Sequence, residues 1–204
     1  MGYNRPMDIN QILTLPTLLM VLGGYLAGSM SAAILVCRGL GLSDPRLSGS
    51  KNPGATNVLR LHGKQAAVLT LVGDVAKGVI PVLVARALDF SFTAQVLTGL
   101  AAFLGHIYPL YFRFKGGKGV ATAFGVLHAL HWQVGLACGV VWLVVYRLGK
   151  ISSLSALIAF ALLPIISWLL TASAPLTTAS IVITLLIYWH HRSNIKNLVT
   201  GKEK

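Results

Sequence analysis

The chain has 204 residues, of which 55% are hydrophobic and only 11% charged, with a mean hydropathy of +0.73. That balance excludes a soluble globular domain of this size and predicts a protein built into a bilayer. The net charge of +12 argues for membrane topology rather than nucleic-acid binding, because the basic residues flank apolar runs, and Cys37 and Cys138 lie in apolar segments where no disulfide framework forms.

In chain order, apolar runs cover residues 12–37, 66–88, 94–112, 118–148, 152–171 and 176–190. The first, about 26 residues long, exceeds a signal-peptide core and suits an uncleaved span. Read as one helix, the 118–148 run gives six spans and divides the basic residues between both faces. A turn near His128, His131, Trp132 and Gln133 gives helices over 120–130 and 132–148, and seven spans. Fourteen of the seventeen Lys and Arg residues then fall on one face, leaving Arg5 and Arg86 opposite and Lys77 within a span. The positive-inside rule selects this arrangement, with the N-terminus outside and the C-terminus cytoplasmic. An 11-residue helix is only about 16 Å long, so the 120–130 helix must be tilted, extended or half-buried among its neighbours. Gly24, Gly28, Gly135 and Gly139 suit close helix packing, and Pro81 and Pro164 mark kinks. Trp132, Trp168, Tyr188 and Trp189 lie near span ends, as an interfacial belt requires.

Three polar, glycine-rich segments interrupt this pattern: residues 49–60 (GSKNPGATNVLR), 105–122 (GHIYPLYFRFKGGKGVAT) and 190–203 (HHRSNIKNLVTGKE). The first reads as a loop whose Ser50, Lys51, Asn52, Thr56, Asn57 and Arg60 suit a phosphate or carbonyl oxygen better than bulk water. In the second, Lys115, Gly116, Gly117, Lys118 and Gly119 form a turn at a helix N-terminus, where free amides and the dipole favour an anion. It lacks the spacing and Lys-Ser/Thr pair of a Walker A loop. His106 precedes an aromatic run and is a candidate ligand-orienting group. Asp74 and Lys77, three apart in an apolar run, predict an internal ion pair beneath the site. Ser152, Ser153 and Ser155 either line the same surface or cap the helix that follows.

In register along the whole chain, these segments resemble the three signature motifs of the acyl-phosphate:glycerol-3-phosphate acyltransferase (PlsY) family of bacterial inner membranes. Gly73-Asp74-x-x-Lys77-Gly78 and the His191 to Ile195 pattern support the resemblance; Asn197 departs from it, standing where the family usually carries a basic residue. The resemblance implies one seven-span, all-α enzyme domain over residues 1–204. Its active site faces the cytoplasm, and it makes lysophosphatidic acid from acyl phosphate and glycerol 3-phosphate. On this reading Gly116, Gly117, Lys118 and Gly119 cradle one phosphate, while Lys51, Thr56, Asn57 and Arg60 complete a second anion site. Ser50, Arg60, Lys118, His191 and Asn194 form the expected catalytic set, and Asn52, His106, Lys115 and Ser152 join the binding set. Direct attack by the glycerol hydroxyl is expected, its proton passing to His191 or to the donor phosphate, with no acyl-enzyme.

No cofactor or nucleic-acid partner is expected. The histidines look scattered and remote from carboxylates, so no metal site is expected either. Acyl-chain preference and oligomeric state are not legible in the sequence. The rival reading is a small transporter for phosphorylated anions. Its usual marks, midplane polar sites and repeated halves, are missing from the sequence.

Overall fold

The computed structural model describes residues 14–203, so the expectations for Arg5, the start of the first run and Lys204 lie outside the described residues. Every regular element among the described residues is helical. The first apolar run is not one helix: it forms α1 (Leu15–Gly28) and α2 (Ala32–Gly39), bent by 45°. The bend is held by side chains, since the Ser29 hydroxyl donates to the Tyr25 carbonyl at 2.8 Å and the Met30 carbonyl accepts from Lys77 Nζ at 2.8 Å. A carbonyl freed by breaking a helix in an apolar setting needs such a partner.

The first polar segment is only half loop, because residues from Ala55 onward form α3 (Ala55–His62). Gly63, at φ +83°, turns the chain into α4 (Lys64–Ala87). Then follow α5 (Phe92–Ile107), a 3-10 turn over Leu110–Phe112, and α6 (Val120–Leu130). Extended backbone at His131, φ −154° and ψ 99°, separates α6 from α7 (Trp132–Gly149). The remaining helices are α8 (Ser152–Thr171), α9 (Ala174–His190) and α10 (Arg192–Val199). Both α4 and α8 continue through their prolines. By length and apolarity α4, α7 and α8 suffice to cross a membrane, and the bent α1–α2 pair makes a fourth; α6 and α9 are shorter apolar helices.

The outer surface is apolar, with Leu15, Val72, Ile80, Leu136 and Leu169 exposed. The interior is filled by Phe103, Leu127, Phe160, Leu163, Ile183 and Ile187. Lipid tails are as apolar as this core, so close packing rather than hydrophobic drive selects the helix pairs. Gly24 and Gly28 of α1 lie against the backbone of Thr98 and Ala102 in α5, while Gly78 and Gly125 bring α4 and α6 together at Thr122 and Val75. A larger side chain at Gly28 would force α1 off α5. Gly139 faces open space, so the expectation of close packing fails there.

These contacts explain the short helix. They set the start of α6 level with Asp74, ten residues and about 15 Å along α4 from its first residue. Thr122, Ala123, Gly125, Val126, Leu127, Ala129 and Leu130 are buried among neighbouring helices. The N-terminus of α6 therefore lies recessed within the bundle.

Candidate active site

A cavity of about 510 Å³ opens where the three polar segments meet the recessed end of α6. Its polar part is lined by Ser50, Asn52, Thr56, Asn57, Arg60, His106, Lys118, Gly119, Ser152, His191 and Asn194, together with Lys64, Asp74, Ser153 and Glu203. Its apolar part is formed by Ala67, Val68 and Leu71 of α4, Val120, Ala121 and Phe124 of α6, and Trp142 and Tyr146 of α7. The Trp142 and Tyr146 rings stack at 5.0 Å with planes 12° apart.

Asn57 organises the first segment. Its Oδ1 accepts from the Ser50 amide at 3.0 Å, and its Nδ2 donates to the carbonyls of Pro45 at 2.8 Å and Ser48 at 3.3 Å. The side chain is buried and its amide fully engaged, so Asn57 holds the loop rather than facing a ligand with free groups. Gly49, at φ +61°, leaves room for that amide. Thr56 and Arg60 project from the exposed side of α3.

The second segment differs from the expected cradle. The amides of Gly116 and Gly117 donate to the carbonyls of Ile107 and His106, both at 3.2 Å. They are spent on the turn, and neither glycine lines the cavity. Lys51 and Lys115 are exposed and also stand outside the lining. The anion-binding character moves one step along the chain, to Lys118, to Gly119 as N-cap at φ +85°, and to the first turn of α6. Gly117 is required where it sits, because a Cβ there would meet the His106 ring.

Beneath the turn, Lys77 Nζ lies 2.9 Å from Asp74 Oδ1 and His106 Nδ1 3.5 Å from the same oxygen. Thr122 Oγ1 is 3.1 Å from His106 Nδ1. The expected internal ion pair is present. The expectation that no carboxylate approaches a histidine is corrected, since helices α4 and α5 bring Asp74 and His106 together from far apart in sequence. No group of three or more metal-ligating side chains occurs among the described residues.

The third segment supplies the polar hub. Lys118 Nζ donates to Asn194 Oδ1. Asn194 Nδ2 donates to Glu203 Oε1 at 2.5 Å, and Ser153 Oγ donates to the same oxygen at 2.6 Å. Burial works against the Glu203 carboxylate, yet hydrogen bonds from Ser153, Asn194 and Asn197 and the charge of Lys118 outweigh it and hold its pKa below the usual glutamate range. Burial pushes the Lys118 ammonium below the ordinary lysine range; Glu203 opposes the shift and Arg60 adds to it. His191 is pushed down to about 4, first by burial and then by Lys118, against the opposing hydrogen bond to Ile187. At neutral pH it is therefore uncharged. Its Nδ1 donates to the Ile187 carbonyl at 2.8 Å, leaving Nε2 with its lone pair. Of the three serines read as either lining the surface or capping a helix, Ser152 and Ser153 line the cavity and Ser155 does not. Sequence reasoning did not place Glu203 in the site, although it is the single acid of its segment.

A cavity with Lys118 and Arg60 at its polar end and apolar side chains along its floor, in an all-helical protein with an apolar outer surface, fits the class of integral membrane proteins. The comparisons with known proteins give that class a family. The family model described as glycerol-3-phosphate acyltransferase matches residues 18–201. A glycerol-3-phosphate acyltransferase of Methylococcus capsulatus is 52% identical over 179 residues, covering 88% of this chain and 90% of the relative. One from Thioalkalivibrio sulfidiphilus is 53% identical over 184 residues, covering 90% and 91%. The crystal structure of PlsY, an integral membrane glycerol 3-phosphate acyltransferase, in its glycerol 3-phosphate form matches with a TM-score of 0.88 at 39% identity, over 93% of this chain and 94% of that one. Its lysophosphatidic acid form matches with a TM-score of 0.86 at 38% identity over the same shares. The chain belongs to the glycerol-3-phosphate acyltransferase (PlsY) family.

Proposed function

We propose that this chain transfers an acyl group from acyl phosphate to the sn-1 hydroxyl of glycerol 3-phosphate. The products are lysophosphatidic acid and inorganic phosphate, in the first step of phospholipid synthesis. The observation that carries this reading is the two-sided cavity: Lys118, Arg60 and the α6 N-terminus at one end, the Phe124–Trp142–Tyr146 floor at the other. Family membership favours it over anion transport.

On this reading the acyl chain lies along the floor, and the two phosphates are held by Lys118, Arg60 and the first-turn amides of α6. The glycerol oxygen attacks the carbonyl carbon, and the carbon–oxygen bond to phosphate breaks as the tetrahedral centre collapses. The hydroxyl proton passes to an oxygen of the departing phosphate. His191, held neutral and weakly basic, orients the nucleophile through Nε2, and Lys118 and the helix dipole offset the developing oxyanion. Among the described residues no histidine or carboxylate hydrogen-bonds the Ser50 hydroxyl, which supports direct attack over an acyl-enzyme. The basic loops 38–64, 113–118 and 192–202 favour an orientation with this site at the cytoplasmic face of a bacterial inner membrane, the N-terminus outside, and seven spans in all.

The test is product formation by purified protein given labelled glycerol 3-phosphate and either palmitoyl phosphate or palmitoyl-CoA, with Arg60→Ala as control. Lysophosphatidic acid from palmitoyl phosphate alone is expected. Failure with both donors in a monodisperse sample would refute the assignment.

A further inference from the structure

The far end of α6 carries a second cavity, of about 450 Å³, between the end of α4, the start of α5 and the α6–α7 junction. Its polar lining is Arg86, Gln95, His128, His131 and Gln133, with Trp132 at its edge and no carboxylate among the lining residues. Arg86 is fixed in place: Nη2 donates to the carbonyls of Ala129 and Leu130, and Nε to Gln95 Oε1 at 3.3 Å. Gln95 is itself buried and anchored to the Phe90 carbonyl at 2.9 Å. The guanidinium is thus preorganised, and among the described residues no side-chain hydrogen bond engages Nη1.

Below this polar pocket the surface turns apolar within one helical turn. Leu83 and Val84 on α4, and Leu136 on α7, are all exposed. Leu83 shares a helix face with Arg86 and Leu136 shares one with Trp132, by their spacing of three and four. The α6 residues that are not buried after Val120, namely Ala121, Phe124 and His128, form a single stripe running from the first cavity to the second. A polar, cationic pocket set directly above lipid-facing aliphatic side chains matches an amphiphile in both parts. A soluble anion has no use for the second part.

We propose that this cavity binds the headgroup of an anionic phospholipid, its phosphate against Arg86 and its acyl chains over Leu83 and Leu136. The site is separate from the acyl-transfer cavity. Its charge complementarity favours phosphatidylglycerol over a zwitterionic lipid.

Native mass spectrometry of the full-length, detergent-purified protein tests this, with phosphatidylglycerol, phosphatidylethanolamine or inorganic phosphate added in turn. Retained phosphatidylglycerol is expected, with weaker retention of phosphatidylethanolamine and none of inorganic phosphate. Arg86→Gln is expected to lower phosphatidylglycerol retention about tenfold, the scale of one charge-assisted hydrogen bond. Because Arg86 also caps α6, Gln133→Glu serves as a second variant: it leaves the cap intact, places a negative charge in the cavity, and is expected to lower retention similarly. Retention unchanged in both variants, equal retention of the two lipids, or displacement of the lipid by inorganic phosphate would each overturn the proposal.

Discussion

Replacing Glu203 by Gln keeps the shape of the side chain and removes its charge. In the structure Oε1 accepts from Asn194 Nδ2 at 2.5 Å and from Ser153 Oγ at 2.6 Å, and Asn194 in turn holds Lys118. A charge-assisted hydrogen bond contributes about 1 kcal/mol more than a neutral one, so losing the charge on two of them weakens the hub by about 2 kcal/mol. If that loss falls on the placement of Lys118, kcat/KM for glycerol 3-phosphate drops about thirtyfold. The pH dependence supplies a second signature. The folded carboxylate has a pKa below its ordinary value, so its contribution is complete above the usual glutamate pKa and disappears as pH falls through the lowered folded value. Glu203→Gln should lack that acid-side loss of activity while starting from the lower level. Steady-state kinetics at several glycerol 3-phosphate concentrations, on monodisperse protein, measures both effects. A kcat/KM within about twofold of wild type would show that the hub does not position Lys118.

Gly117→Ala drives a Cβ into the His106 ring, which Thr122 and Asp74 hold in place. Overpacking of about 1 to 3 kcal/mol predicts at least about a fivefold loss of kcat/KM together with a lower thermal unfolding midpoint, and the stability costs of Gly117→Ala and His106→Ala should be less than additive in the double variant; additive costs would locate the strain elsewhere. His191→Gln should retain more than about a tenth of wild-type turnover at pH 7, because the donor phosphate accepts the proton. In wild type the histidine pKa is lowered from 6.5 to about 4, so the folded state excludes a proton that the unfolded state binds, and stability falls as pH drops from about 6.5 to 4. Thermal unfolding across that window should decline less steeply in His191→Gln; parallel declines would refute it.

The boundary between α6 and α7 was legible because His128, His131, Trp132 and Gln133 interrupt an apolar run with residues that belong at an interface. The bend between α1 and α2 was not legible. Residues 12–37 read as one apolar stretch, and the group that caps the freed Met30 carbonyl, the Lys77 ammonium, is distant in sequence. Asn57 shows a different limit. Composition identified a polar side chain near the site, but only the fold reveals that all its hydrogen-bonding capacity is turned toward its own loop. Gly116 and Gly117 teach the same lesson, since their amides serve the turn and leave anion binding to Gly119 and the helix end. Glu203 was overlooked because a lone acid in a basic segment reads as surface charge until Ser153 and Asn194 are seen to converge on it.

The Lys77–Met30 contact imposes an order on biogenesis. The two residues are 47 positions apart, so a ribosome feeding the chain into the membrane delivers the interrupted helix well before its capping ammonium. Until α4 follows, the Met30 carbonyl lacks this donor, and of the two side-chain contacts only the local Ser29–Tyr25 bond is available to the break. Insertion of the fourth helix is then the event that completes the break, so the first segment reaches its final shape only after a later one has joined it in the bilayer.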